Sequence, residues 1–411
     1  MSQHTQGFLA VEPVDVGNGF TLTERATFAD DGAQGVSLQL QRTATGAIAA
    51  SALVTAAENP RHQLALDLGS AAARACALVE QIETTRGDRV AELTLLYCAA
   101  RRARIMERPN VLVATREAEK IPLEGAAAFR PAGPKVPALV TQRVDLLAHY
   151  TCVELERLYA APSAAFRTRE VEESAKRWLA TAPTWGFFRA VQTGTLTRAQ
   201  YVYALSNIYQ FVRHTTRLAA RAIAHSPTTE MRSHFISHLN GEINHELIIE
   251  KDLEHLGEDA RYVRDAMAPN GPTQEFMAIQ ESLIGYYEDP VLLMASPVAA
   301  EGVTAHLDEA FVKSLQGCLQ SFGVEKPEKA SRFFVSHMHT DGGDDGHWEM
   351  TVNFLGRCLK DEAKHQFFLR SMRSAMRGTQ RLYDSFVEEI PSFGSSSQRS
   401  DRGLSVSSVE A

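Results

Sequence analysis

Three stretches of this 411-residue chain carry metal-ligand side chains at helical spacing. In GEINHELIIE, Glu242 and His245 are three residues apart, about 300° of helix rotation, so a continuous helix sets them side by side. His238 and His234 continue that stripe. In VAAEGVTAH, Glu301 is an acid among apolar neighbours. In RFFVSHMHTDGGDDGHWEM, His337, Asp341 and Asp344 are spaced to share one helix face within about 60°, and His347 follows three residues later. Mixed imidazole and carboxylate ligands suit iron or manganese at open, octahedral-like sites. Two such ions need roughly six protein ligands, with carboxylates to bridge them and balance charge, and facing helices of a bundle supply these rigidly. No thiolate belongs to the set, which argues against structural zinc. DGGDDG is not an EF-hand loop, because its twelfth position from Asp341 is Val352.

The elements that must hold these residues differ along the chain. Residues 1–145 read as mixed α/β. GFTLTERATF (19–28), GVSLQLQRT (35–43) and AIAASALV (47–54) are strand-like, as are VLVAT (111–115) and KVPALVTQRV (135–144). Residues 61–83 and 89–108 read as helices, which predicts a small open sheet with helices packed on it. From residue 146 to 390 the apolar spacing is helical throughout and predicts six or seven helices with no strand. The Ser/Gly-rich tail, 391–411, is expected to be disordered. Eleven of the 14 histidines fall between His214 and His365, so metal or proton chemistry belongs to the helical part.

Composition narrows the function classes. A net charge of -8, from 42 Lys+Arg against 50 Asp+Glu, gives no basic footprint for nucleic acid. There is no signal-peptide pattern and no 18-residue apolar span, so the expectation is a soluble, cytoplasmic protein that does not engage membrane. Five scattered cysteines without a CxxC read as reduced thiols.

Four blocks occur in order: FFRAVQTGTLTRAQYVYALSNIYQFVRHTTRLAARAIA, HLNGEINHELIIEKDLEHLG, the Glu of SPVAAEG, and FFVSHMHTD, with 56 residues from His245 to Glu301 and 36 on to His337. Over residues 150–385 they resemble the haem-oxygenase-like diiron oxidases and oxygenases of the TenA-like superfamily. The resemblance implies an all-α haem-oxygenase-like bundle, two Fe(II) ions and O2 as co-substrate. It also implies a small-molecule substrate and an external electron donor. N-oxygenation of an amine in a biosynthetic pathway is favoured on family frequency. By carry-over, Glu242, His245, Glu301, His337 and Asp341 would be iron ligands. The family's closing motif is H-x-x-x-D-x-x-H, and Asp344 stands at its last position. Either Asp344 ligates, or His347 reaches in after a helix distortion that Gly342, Gly343 and Gly346 would ease. Some members place a Glu on the first core helix; NIYQFVRHTT offers Tyr209, Gln210 and His214 instead.

The N-terminal order, chiefly ELTLLYCAARRARIMERPNVLVAT, is similar to GNAT-type acyltransferases, including acyl-homoserine-lactone synthases. Their phosphate cradle, Q/R-x-x-G-x-G/A, is absent, and the nearest stretch, RTATGAIAA (42–50), has the wrong spacing. Without Gly-rich backbone N–H groups, CoA pyrophosphate loses its anchor. The domain therefore reads as a degenerate acyltransferase-like unit used for homodimerisation or docking.

Competing readings remain at this level. A second E-x-x-H, Glu362 and His365, would combine with Glu242 and His245 in a ferritin-like diiron bundle. A site that lost its metal would leave a binding or scaffold protein. A metal-free hydrolase would need Cys318 or Cys358 as nucleophile, and neither has an evident base. His214, His234 and His238 read as satisfied core or surface histidines. Phe333, Phe334 and Trp348 read as core, and Tyr286 and Tyr287 as core or rim.

Overall fold

The computed structural model describes the chain except residues 1–12, 29–33, 56–75, 85–87, 109, 116–126, 130–137, 159–161, 344–345 and 389–411. The described strands are β1 (Val14–Gly17), β2 (Phe20–Phe28), β3 (Gln34–Arg42), β4 (Ile48–Thr55), β5 (Cys76–Thr84), β6 (Asn110–Thr115), β7 (Ala127–Phe129) and β8 (Ala138–Arg143). They form one sheet in the order β1-β2-β3-β4-β5-β6-β8-β7. Strands β1 to β5 run antiparallel, and β5 and β6 pair in parallel. The β5–β6 crossover contains helix α1 (Arg89–Ile105), capped by Asp88, whose carboxylate accepts from Ala91 N.

Two expectations fail here. Residues 61–83 were expected to be helical, but Cys76–Thr84 is a strand, and 61–75 lie outside the described residues. CALVEQIET has the apolar content of a buried strand, and pairing with β4 on one side and β6 on the other decides its state over its local pattern. The sheet is also larger than expected, with β1 and β7 not anticipated from the sequence. RTATGAIAA is the turn of the β3–β4 hairpin and does not lead into a helix.

The longer helices that follow are α2 (Val144–Leu158), α3 (Ala164–Leu179), α4 (Arg198–His225) and α5 (Thr229–Glu242). Next come α6 (His245–His255), α7 (Gly271–Glu281), α8 (Ala295–Ala305) and α9 (Glu309–Ser321). The last are α10 (Arg332–Asp341), α11 (His347–Cys358) and α12 (Glu362–Glu388). Shorter helical turns link them, so the described helices outnumber the six or seven expected. Segments read as single helices are cut at Ile243–Asn244, at His306–Asp308 and at Leu359–Asp361. The capping box Thr197/Gln200 starts α4, and Asp308 starts α9 by accepting from Phe311 N.

Two apolar cores result. The first joins the sheet to α1 and α2, with Leu38, Val79, Leu95, Val111 and Leu147 fully buried. The second fills the helical part, around Trp185, Phe187, Ile208, Leu253, Phe334 and Phe386. An ionic layer joins the two. Arg101 and Arg102 of α1 pair with Glu24 of β2, and Arg102 reaches Glu173 of α3 at 3.0 Å. Arg104 pairs with Glu170 at 2.7 Å, and Tyr97 donates to Glu362 of α12 at 2.8 Å. All of these charged groups are paired, as buried charges must be. No described helix is long and apolar enough to cross a membrane.

Candidate metal centre

The backbone breaks the chain at the two places where the sequence predicts continuous helix. Helix α5 ends at Glu242, and Asn244 adopts a left-handed conformation (φ 69°) before α6 opens at His245. Asn tolerates that conformation better than most residues. Glu242 and His245 are therefore neighbours across a helix–helix junction, not along one face. Helix α10 likewise ends at Asp341. The glycine-rich loop after it is tight: a Cβ on Gly346 would lie 2.3 Å from the Asp341 carbonyl oxygen, and one on Gly342 would lie 2.5 Å from that of Met338. The helix on which Asp341 and Asp344 were expected to share a face ends at Asp341. Asp344 lies outside the described residues. The loop turns the chain so that His347, the first residue of α11, comes back to Asp341.

Three helices, α5, α8 and α11, thus converge on one point. Ligand atoms of His238, Glu242, Glu301 and His347 all lie within 4.8 Å of one another. His238 Nε2 is 3.3 Å from Glu301 Oε1. The two oxygens of Glu242 face different histidines: Oε1 lies 3.7 Å from His347 Nδ1, and Oε2 lies 3.4 Å from His245 Nδ1. His347 Nδ1 is also 3.5 Å from Asp341 Oδ1. The His245 and His337 rings meet edge to face at 4.5 Å. The structure therefore gathers Glu242, His245, Glu301, His337, Asp341 and His347, and adds His238. The sequence signal for His238 is its place one helical turn before Glu242, which a reading of lone histidines as core residues passes over.

Supporting contacts orient the side chains. Thr304 donates to Asp341 Oδ2 at 2.6 Å. His337 Nδ1 donates to the Phe333 carbonyl at 2.9 Å, which fixes its tautomer and leaves Nε2 with its lone pair. The polar residues of α4 that were weighed as replacements for a first-helix acid are engaged elsewhere. Tyr209 donates to Glu250, Gln210 to the Val263 carbonyl, and His214 pairs with Glu281.

The electrostatics are those of a concentrated acidic pocket. Burial, then the charges of Asp341 and Glu242, push the Glu301 carboxyl well above its usual range. Burial also acts on Glu242, but the adjacent His245 and the charges of His238 and His337 outweigh it and bring Glu242 down to about 2. Burial lowers His238 and His337 against the pull of the nearby carboxylates. Four buried ligand-type atoms have no hydrogen-bond partner: His245 Nδ1, Glu301 Oε2, Asp341 Oδ1 and His347 Nδ1. Buried polar atoms without a hydrogen bond call for a partner, here as at the ionic joint, where Glu170 and His365 hold others.

The second E-x-x-H does not join this centre. His365 lies 3.5 Å from Glu170 and 3.6 Å from Glu362, beneath Tyr97 and Arg104 of the N-terminal part. It belongs to the ionic joint, which removes the geometric basis of a ferritin-like pairing with Glu242 and His245. The thiols of Cys318 and Cys358 are both raised by burial, the latter to about 11, so neither is an activated nucleophile.

A cavity of about 70 Å³ opens onto the centre. His238, Glu242, Glu301, His337 and Asp341 line one end, and Phe211, Leu293, Gln280 and Tyr383 are among the residues that line the rest.

No protein-family model and no curated protein matches the chain. Solved structures do. A domain of unknown function with a heme oxygenase-like fold from Shewanella denitrificans is 20% identical over 54% of this chain and 90% of its own, at a TM-score of 0.44. A TenA homolog from Pseudomonas syringae pv. tomato is 11% identical over 64% of this chain and 98% of its own, also at 0.44. A TenA family transcription regulator from Silicibacter is 15% identical over 55% of this chain and 94% of its own, at 0.38. Three of the solved structures that the chain is similar to are thus one heme oxygenase-like domain and two TenA proteins.

Proposed function

We propose that this chain is a non-haem iron oxidoreductase that holds two Fe(II) ions and uses O2 to oxidise a small substrate. One observation carries the reading: seven imidazole and carboxylate side chains from five helices converge, five of them buried and two half-buried, with four ligand-type atoms that have no hydrogen-bond partner. The donor set is all nitrogen and oxygen, which suits iron. His238, Glu301 and His347 would hold one ion, and His245, His337 and Asp341 the other. Glu242, whose two oxygens face His245 and His347, would serve both sets. Bound, the iron pair would supply the redox chemistry with dioxygen that no side chain here can perform.

The residues around it do the rest. Three carboxylates would offset most of the charge of two divalent ions. Thr304 and the Phe333 carbonyl fix the orientation of Asp341 and His337 before metal arrives. The raised Glu301 carboxyl must lose its proton on ligation, so loading releases acid. Phe211, Val212, Leu218 and Leu293 give the cavity beside the cluster an apolar wall. The electron donor and the cytoplasmic setting belong to the same proposal. The N-terminal sheet is assigned a docking or dimerising role, as a degenerate acyltransferase-like unit.

The test is an anaerobic Fe(II) titration followed by exposure to oxygen. The expected result is two irons per chain, iron-dependent oxygen uptake and a transient visible absorption. One iron or none, with no uptake, overturns the proposal and leaves a metal-free binding or scaffold protein.

A further inference from the structure

Helix α11 opens without a side-chain cap, since Gly346 precedes it. Its start is fixed instead by its first two side chains. Successive residues of a helix point about 100° apart, so the two turn to different neighbours. His347 lies against α5 at Gly241. Trp348 turns to α8. Its indole, 4% exposed, lies over Gly302, where a Cβ would come within 2.8 Å of Nε1. Nε1 donates to the Val298 carbonyl, one turn before Gly302, at 3.0 Å. A side chain at position 302 would crowd that bond. His306, one turn after Gly302, meets the indole edge to face at 4.9 Å, and its Nδ1 lies 2.8 Å from the Gly302 carbonyl oxygen. Trp348 is therefore received by one row of α8, at Val298, Gly302 and His306. Helices α5, α8 and α11 are the three whose ligand atoms meet, and Glu301 is the residue before Gly302.

We infer that Trp348 is a positioning residue for His347: seated on Gly302, it ties the start of α11 to α8 and so holds the neighbouring imidazole at the cluster. Its value to metal binding rests on the reading of the cluster as a metal centre. His347 needs such a tie. Its Nδ1 stands 3.7 Å from Glu242 Oε1 and 3.5 Å from Asp341 Oδ1 and makes no hydrogen bond. His337, by contrast, is oriented by its own bond to the Phe333 carbonyl. The chain before His347 does not hold it either, because Gly342, Gly343 and Gly346 leave that backbone the widest conformational choice. The place of the His347 ring thus comes from where α11 is anchored, and Trp348 is the anchor on the α8 side. Groups that orient a ligand without touching the metal are worth about tenfold or more in metal affinity.

Two variants loosen the seat in different ways. Trp348→Phe removes the bond to Val298 and keeps an aromatic ring, while Gly302→Ala keeps the indole and obstructs its seat. The first measurement is NMR of the imidazole ring nitrogens in the metal-free full chain, with the His347 signals assigned by their loss in His347→Ala. Both variants are expected to shift the His347 signals and to leave those of histidines that touch neither the cluster nor Trp348. The second measurement is a calorimetric Mn(II) titration. Each variant is expected to bind about tenfold more weakly than wild type. In a His347→Ala chain, Trp348→Phe should cost nothing further, because a residue that acts through His347 has no effect once His347 is gone. Unmoved His347 signals in both variants overturn the inference. So do shifts spread over all the histidines in both variants, or an equal loss of affinity with and without His347. The ring signals are read without metal, so a wild type that binds no Mn(II) defeats the reading of the cluster, and the signals still decide whether Trp348 places His347.

Discussion

The imidazole of His347 occupies the space that a side chain on Gly241 would fill: a Cβ there would lie 2.4 Å from the ring's Cε1 and 2.5 Å from its Nε2. Gly241 lies one residue before Glu242, inside α5. Its bare backbone therefore lets the histidine that opens α11 lie against the helix that supplies two other ligand candidates. Gly241→Ala should leave α5 intact, since Ala is the better helix former by about 1 kcal/mol. It should displace His347 and lower Fe(II) or Mn(II) affinity by at least about tenfold, a typical cost of disturbing a ligand's placement. Unchanged affinity in a calorimetric titration would show that His347 does not ligate.

The centre itself is tested by removing single ligands. His337→Ala, Glu301→Gln and His238→Ala should each lower iron bound per chain while the far-ultraviolet helical signal is retained. His238→Ala is the most informative of the three, because the sequence reading left that residue as a core or surface histidine and the folded arrangement brings it to the cluster. Full iron occupancy in all three variants would remove the site assignment.

Asp252 holds the start of α10, the helix that ends in Asp341. Its Oδ2 accepts from the Phe333 backbone N–H at 2.9 Å, so a side chain from α6 satisfies a donor that the first turn of α10 leaves free. Burial pushes this carboxyl up to about 7, against the lowering effect of the Phe333 and Arg332 backbone N–H groups. A folded-state pKa above the unfolded value means the native state binds the proton more tightly. Stability from this group is then full below about pH 4 and declines as pH rises toward 7. Asp252→Asn keeps the acceptor without the charge and should flatten that decline, raising the melting temperature at pH 8 relative to wild type. Asp252→Ala loses the cap and should cost about 1 kcal/mol below about pH 4, where the wild-type carboxyl is protonated in both states. An Asn variant that melts below wild type at pH 8 contradicts this account.

Glu362 has the opposite sign. Burial raises it, but His365, Arg104 and the Tyr97 hydroxyl outweigh burial and bring it down to about 2. A depressed folded-state pKa contributes stability above the unfolded value near 4.5, and that stability is lost as pH falls from there toward 2. The contribution is on the order of 3 kcal/mol. Glu362→Gln should reduce the acid sensitivity of unfolding between pH 4.5 and 2 while leaving iron stoichiometry unchanged. Loss of iron in this variant would reinstate the second E-x-x-H as part of the metal site.

Much of this protein is legible in its linear order. The strands at 20–28, 34–42, 48–55, 110–115 and 138–143 show in their alternating or continuous apolar runs, because each lies on a sheet whose face they must fill. The helical texture beyond residue 146 shows for the same reason at a different period. Six of the seven side chains at the centre were nameable in advance, since residue type and order are sequence properties.

What spacing alone does not carry is the path of the backbone between those residues. Counting 3.6 residues per turn places Glu242 beside His245 and Asp341 beside Asp344 only if the helices continue, and Asn244 and the glycines after Asp341 end both. Those breaks bring His347 back to Asp341 and turn the two oxygens of Glu242 toward different histidines. His238 enters for a related reason. A lone histidine has no meaning until packing decides what faces it. The residue 76–84 strand is likewise a product of pairing with β4 and β6, which local propensity cannot see. The sequence determined which ligand-type side chains exist and in what order; the tertiary structure decided which of them meet, because convergence of side chains from five helices is set by long-range packing.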